Sequence, residues 1–331
     1  CNTATAYALE DIKKFISVNG YNVPCIGVID AGTKAALAYQ AKNKGTIAVF
    51  ATAGTVASDG YPRTIKKMAK EKNMSEPIII SQGGVGLAES IDRDWSYFID
   101  TATKTRTGYK GPSLNNEQYK IDSALLEIYH FNKSYNQLLC EYDNDGKCLE
   151  IQLNEPANYV RYHLVSLLEK MRAQNTPQPL NTLILGCTHY PYMKDTIRQV
   201  LNELYNYSKN GNYRYRQFLA ANVELIDPSV ETAKEAYVAL RQMHLQITTK
   251  QEQENRFIIS VPNTSLSEVE LQPDGWFTYQ YKYGRKANAN KDYVKYVAFD
   301  KSNISTATYQ RFKTVLPHVY QQLTKAVKGI N

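Results

Sequence analysis

The 331-residue sequence predicts an α/β fold built on parallel sheets, on three observations. Short apolar runs of strand length alternate with longer stretches of helical period. The runs are bounded by turn residues and read as buried strands. The alternation is regular over two long stretches of chain, which is the pattern of strands joined by helical crossovers.

In chain order, residues 5–17 have helical spacing, with Leu9, Ile12 and Ile16 on one face. Residues 24–29 read as a strand and 33–42 as an alanine-rich helix. A strand over 46–51, a helix over 61–71 and a strand over 77–80 come next. The rhythm resumes with a long amphipathic helix at 157–173, a strand at 182–185 and a helix at 192–204. A strand at 223–226 and a helix at 230–243 close it. Residues 94–154 are polar, tyrosine-rich and poorly periodic, with one hairpin turn at Asp143-Asn144-Asp145-Gly146, and read as an insertion. Past residue 251 the pattern becomes two strands, 256–262 and 276–283, around a Pro273-Asp274-Gly275 turn. A final helix capped by Ser305 runs to 326, so the tail reads as a β-β-α appendage packed on the body.

Composition excludes several classes. Hydrophobic residues make up 43% and charged residues 21%, as in soluble globular proteins. Runs such as 24–29 and 77–80 are far too short to span a bilayer, so no membrane partner is expected. The net charge is +7, but Lys and Arg are scattered, and a nucleic-acid partner needs them clustered. Only Tyr213-Arg214-Tyr215-Arg216 interleaves aromatic and basic residues. The five cysteines, Cys1, Cys25, Cys140, Cys148 and Cys187, do not form a disulfide framework. Cys140 and Cys148 flank the hairpin turn and are expected as two reduced, half-buried thiols; Cys25 reads as a core residue. The expected location is the cytoplasm, with a removed leader left open because the chain starts at Cys1.

Two segments carry the chemistry: Cys1-Asn2-Thr3-Ala4 and Gly186-Cys187-Thr188-His189-Tyr190-Pro191. Each cysteine precedes a helix, and Cys187 comes directly after the strand Leu183-Ile184-Leu185 and Gly186. Ligands of open α/β sheets bind at the carboxyl ends of strands. Free amides and the helix dipole at such a junction lower a thiol's pKa and attract a carboxylate.

Together these segments resemble the two signature motifs of bacterial glutamate racemases, in the aspartate/glutamate racemase superfamily. The similarity extends to Val23-Pro24-Cys25-Ile26-Gly27-Val28-Ile29, to Ala51-Thr52-Ala53-Gly54-Thr55 and to Leu225-Ile226-Asp227-Pro228-Ser229. It covers roughly residues 1–90 and 155–245. The resemblance implies two Rossmann-like, flavodoxin-like domains whose parallel sheets face one another across a cleft. The first would hold residues 1–30 and 223–250 and the second 31–222, with the insertion at 94–154 and the appendage at 251–331. It also implies an isomerase that moves the α-proton of glutamate between the thiols of Cys1 and Cys187, without pyridoxal phosphate or metal. His189 would assist Cys187, Glu155 would serve as a further carboxylate, and Asn2, Thr3, Thr52, Thr55 and Thr188 would hold the substrate. D-glutamate for peptidoglycan would be the product, and a homodimer is an option.

The sequence also departs from the family. The family carries a strand and an Asp-Ser-Gly loop before its first cysteine, so the first domain is expected to be incomplete and the chain a remnant of a longer one. Ser81-Gln82-Gly83-Gly84 stands where the family has Cys-Pro. Gly83, Gly84 and Gly86 make no dinucleotide fingerprint and mark a loop. Three alternatives stand beside glutamate racemisation: a racemase for aspartate or another amino acid, an inactive ligand-binding homologue, and a thiol hydrolase using Cys187 and His189. The last lacks a visible third member to orient the histidine.

Overall fold

The computed structural model describes residues 1–245, 256–273, 275, 277–286, 289 and 292–328. They fall into two compact units, Cys1–Gln246 and Ile247–Asn331. The first contains α1 (Asn2–Val18), α2 (Val28–Gln40), β1 (Thr46–Ala51), α3 (Ala53–Ala57), α4 (Gly60–Glu71), β2 (Ile78–Gly83) and α5 (Leu87–Ile91). It continues through α6 (Leu126–Tyr129), β3 (Leu138–Tyr142), β4 (Cys148–Leu153), α7 (Pro156–Ala173) and β5 (Leu180–Gly186). It ends with α8 (Lys194–Asn206), β6 (Ser208–Lys209), β7 (Asn212–Tyr213), β8 (Leu219–Ile226) and α9 (Pro228–Gln242).

A four-stranded parallel sheet in the order β2-β1-β5-β8 organises this unit. Every residue of β1 and β5 is buried, as expected of parallel strands covered on both faces. Alternate side chains serve two cores. Ile47, Val49, Ala51 and Ile184 meet Leu37, Tyr61 and Ile65 from α2 and α4. Ala48, Phe50, Leu183 and Leu185 meet Leu164, Leu168, Val200 and Leu204 from α7 and α8. Pro156 opens α7, where its missing amide costs nothing, and Lys170 and Arg172 in the last turn complement the helix dipole.

The chain leaves β1 toward β2 on one side and leaves β5 toward β8 on the other. The switch point of the sheet therefore lies between the adjacent carboxyl ends of β1 and β5, where Ala51 pairs with Gly186. β8 is bonded to β5, and the described residues contain this one parallel sheet. The strand at 223–226, grouped by sequence with the first domain, is thus an edge strand of the sheet that holds β1 and β5.

Several local expectations are corrected. The strand expected at 24–29 is absent: Gly27, in extended conformation, is the N-cap of α2, and helix begins at Val28 with Asp30 in its first turn. A short apolar run does not by itself distinguish a strand from a helix start. Gly27 is packed against Leu9 so closely that a Cβ would collide with it. On α1 only Asn2 and Leu9 are buried, and Ile12 is largely exposed. Cys140 and Cys148 are joined in a disulfide across the β3–β4 hairpin rather than standing as two thiols, because antiparallel pairing brings their Cα atoms to 5.8 Å.

The insertion is held by buried amides. Asn154 accepts from the Ile99 amide and donates to the carbonyls of Ile99 and Asn136. Asn158 accepts from the Asn132 amide and donates to the carbonyls of Asn132 and Gln137.

The second unit pairs β9 (Ile258–Pro262) antiparallel with β10 (Val294–Ala298). Between them lies α10 (Tyr279–Tyr283), a helix where a strand was expected; Thr278 caps it by accepting from the Tyr281 amide. Asp274 and Trp276 of the expected turn and strand lie outside the described residues. Ser305 caps α11 (Thr306–Val315) as expected, but Pro317 starts a separate helix, α12 (Pro317–Lys328). Among the described residues no helix is long and apolar enough to cross a membrane.

Candidate active site

The site is built from the segments at the carboxyl ends of the two central strands. After β1, Thr52 caps α3, accepting from the Thr55 amide at 3.3 Å and donating its hydroxyl to Thr55 Oγ1 at 3.0 Å. Thr55 is buried, and its hydroxyl also lies 2.9 Å from that of Thr3 on α1. Three threonines of the sequence-predicted set are thus one hydroxyl chain. Asn2, also predicted, is buried and accepts a 2.6 Å hydrogen bond from the Tyr61 hydroxyl. Tyr61 in turn packs against Gly186, where an added Cβ would come within 3.1 Å of the ring. Burial, with the nearby charges of Asp227 and Cys187, holds the Tyr61 phenol far above its usual range, so it stays a donor. This Asn2–Tyr61–Gly186 link ties the first turn behind Cys1 to the residue before Cys187. Cys1 itself is an exposed free thiol at the N-cap of α1, its carbonyl accepting from the Thr5 amide and hydroxyl.

Cys187 is a buried free thiol. The amides of His189 and Tyr190 act to lower its pKa, as its place at a strand-to-helix junction predicts. Burial is the larger influence, and the charges of Glu89 and Asp92 add to it, so the thiol is pushed up instead. Its sulfur lies 3.6 Å from His189 Nδ1, and His189 Nε2 lies 2.8 Å from an Asp92 carboxylate oxygen. A carboxylate, an imidazole and a thiol are therefore in line, which supplies the third member the sequence did not reveal. Thr188 is exposed beside them.

Glu155 is not part of this group. It is the N-cap residue of α7, where burial raises its carboxyl while the Ala157 amide and Arg93 work against that rise. The carboxylates whose charge reaches Cys187 are Glu89 and Asp92, on and just after α5. Their spacing of three along a short helix is the signal available in the sequence. Within Ser81-Gln82-Gly83-Gly84, Gly84 has a packing reason: the Tyr190 hydroxyl donates to its carbonyl at 3.0 Å, and a Cβ there would strike Tyr190 and Phe50.

No protein-family model matches the chain. It is 25% identical over 240 residues to a glutamate racemase of Oceanobacillus iheyensis, an alignment covering 72% of this chain and 54% of that protein. It is 25% identical over 260 residues to one of Neisseria meningitidis, covering 78% and 62%. The chain is similar in sequence to these glutamate racemases. It spans a little over half the length of these curated relatives. Among solved structures, a glutamate racemase of Bacillus anthracis aligns with a TM-score of 0.42 at 20% identity, covering 75% of this chain and 59% of that one. One of Francisella tularensis, solved with D-glutamate, aligns at 0.41 and 21%, covering 76% and 58%.

Proposed function

We propose that this chain carries the chemistry of a cofactor-independent amino-acid racemase, acting on glutamate through Cys1 and Cys187. The observation that carries the reading is the Asn2–Tyr61–Gly186 link at the switch point of the sheet, which joins the two cysteine motifs. One thiolate removes the α-proton and the opposite thiol returns a proton to the other face, so geometry sets the stereochemistry. Hydroxyls of Thr52 and Thr188 and nearby amides suit the substrate's carboxylate and amino group. Neither pyridoxal phosphate nor metal takes part. D-glutamate for peptidoglycan precursors is the product, made in the cytoplasm, with the substrate in a cleft between two Rossmann-like domains.

The test uses the full-length protein in deuterated solvent with L- and D-glutamate, following loss of the α-proton signal and of optical rotation. Both enantiomers interconvert with the wild type, and chelators and carbonyl reagents leave the rate unchanged. Cys1→Ser and Cys187→Ser each abolish racemisation yet exchange the α-proton of opposite enantiomers at a reduced rate, because a serine hydroxyl is a far weaker acid than a thiol of pKa about 8.5. If one variant exchanges both enantiomers, or Cys1→Ser racemises normally, Cys1 is not a catalytic base.

A further inference from the structure

We propose that Asp92 is the positioning residue for Cys187, acting through His189: its carboxylate accepts the Nε2 proton and thereby leaves the Nδ1 lone pair facing the thiol. The tautomer rests on the geometry alone; the kinetic consequence rests on the racemase reading.

The need for such a residue arises from what Cys187 lacks. Cys187 is buried in the apolar cluster that α7 and α8 contribute to, with Tyr190 in the same cluster. A thiolate there has two amides to stabilise it, but two carboxylates nearby oppose it. The group therefore rests as a thiol and needs an acceptor for its proton. His189 Nδ1, at 3.6 Å, is the group in reach. It accepts only if its proton sits on Nε2, and an ionised carboxylate at 2.8 Å enforces that arrangement because it has no proton to donate. Proton bookkeeping is simple. The S–H bond breaks, its proton moves to Nδ1, and thiolate and imidazolium result, with Asp92 balancing the new positive charge. When Cys187 acts as the acid, the imidazolium returns the proton. Nothing is oxidised or reduced.

Asp92 is placed for this role by its own backbone. It is the C-cap residue of α5, its amide bonded to the Ala88 carbonyl, and the next residue, Arg93, turns the chain with a positive φ of 61°. Arg93 pairs with Asp100 at 2.7 Å.

The experiment records the imidazole nitrogen shifts of His189 in the neutral ring, assigned by their disappearance in His189→Gln, for the wild type, Asp92→Asn and Asp92→Glu. Thermal unfolding confirms that each variant folds. Expected is a wild-type ring protonated on Nε2, and a shift toward the Nδ1-protonated form in Asp92→Asn, whose amide can donate to Nε2. Racemisation by Asp92→Asn falls in kcat by roughly tenfold to a hundredfold, no more than the lower end of the roughly 10²–10⁴-fold that a general acid–base group itself contributes, with KM held within about twofold. Asp92→Glu recovers part of the rate. A wild-type ring protonated on Nδ1, or a tautomer unmoved by Asp92→Asn, overturns the proposal. So does an unchanged kcat in Asp92→Asn when the wild type racemises, which leaves the racemase reading standing. A tautomer that shifts as expected in a protein that racemises neither glutamate nor aspartate supports the hold of Asp92 on His189 and removes the racemase reading instead.

Discussion

At the scale of single residues, buried polar groups are committed to one another, and removing one partner exposes what the bond conceals. Tyr61 and Asn2 are both buried, so Tyr61→Phe leaves the Asn2 carbonyl oxygen without its donor. A loss of about 1–3 kcal/mol in unfolding free energy is expected, measured by urea denaturation. His163 makes a second case. It is wholly buried on α7, its Nε2 bonded to the Val85 carbonyl while Nδ1 has no partner, and burial holds its pKa down to about 4. The unfolded chain takes up that proton near pH 6.5, the folded one only near pH 4. Stability contributed by the neutral ring is complete above about pH 6.5 and is lost as pH falls toward 4, by about 3 kcal/mol in all. Urea midpoints between pH 7 and 4 fall more steeply for the wild type than for His163→Gln; parallel curves would assign the acid sensitivity elsewhere.

At the scale of elements, legibility followed the locality of the interactions. β1 and β5 were readable because their burial is written into consecutive residues, such as Ile47-Ala48-Val49-Phe50, and α4 because Tyr61, Ile65 and Ala69 recur at helical spacing. The start of α2 was not, because Val28 and Ile29 suit a strand and a buried helix face equally. Nor was the pairing of Asp92 with His189, since 97 residues separate them and no local pattern spans that distance. The anchoring of the insertion was illegible for a related reason: Asn154 ends a polar segment and Asn158 stands in the first turn of α7, and only the fold shows their amides to be buried anchors. The hairpin turn was legible and the fate of its cysteines was not. Alkylation of the denatured, unreduced protein should label three of the five cysteines, and all five after reduction. Replacing both Cys140 and Cys148 by serine is expected to cost about 2.5 kcal/mol, for a closed loop of this length. Labelling of five without reduction would restore the two-thiol reading.

At the scale of the whole molecule, the position of β1 in the sheet has a consequence that can be told in time rather than in distance. Its six residues are buried and lie between β2 and β5, so its inward-bonded amides meet water only when the sheet itself opens. Exchange of such amides reports global unfolding, whereas those of exposed loops exchange through local fluctuations. In deuterated solvent β1 and β5 should be the last segments to lose protium, slower than the exposed stretches at Ala53-Gly54 and Thr188 by several orders of magnitude. The residues proposed to meet a substrate, Thr52 and Thr188, thus hang from the slowest-exchanging strands of the fold by links one or two residues long. Those links move on a fast clock, and the frame that keeps the two motifs in register moves on a slow one.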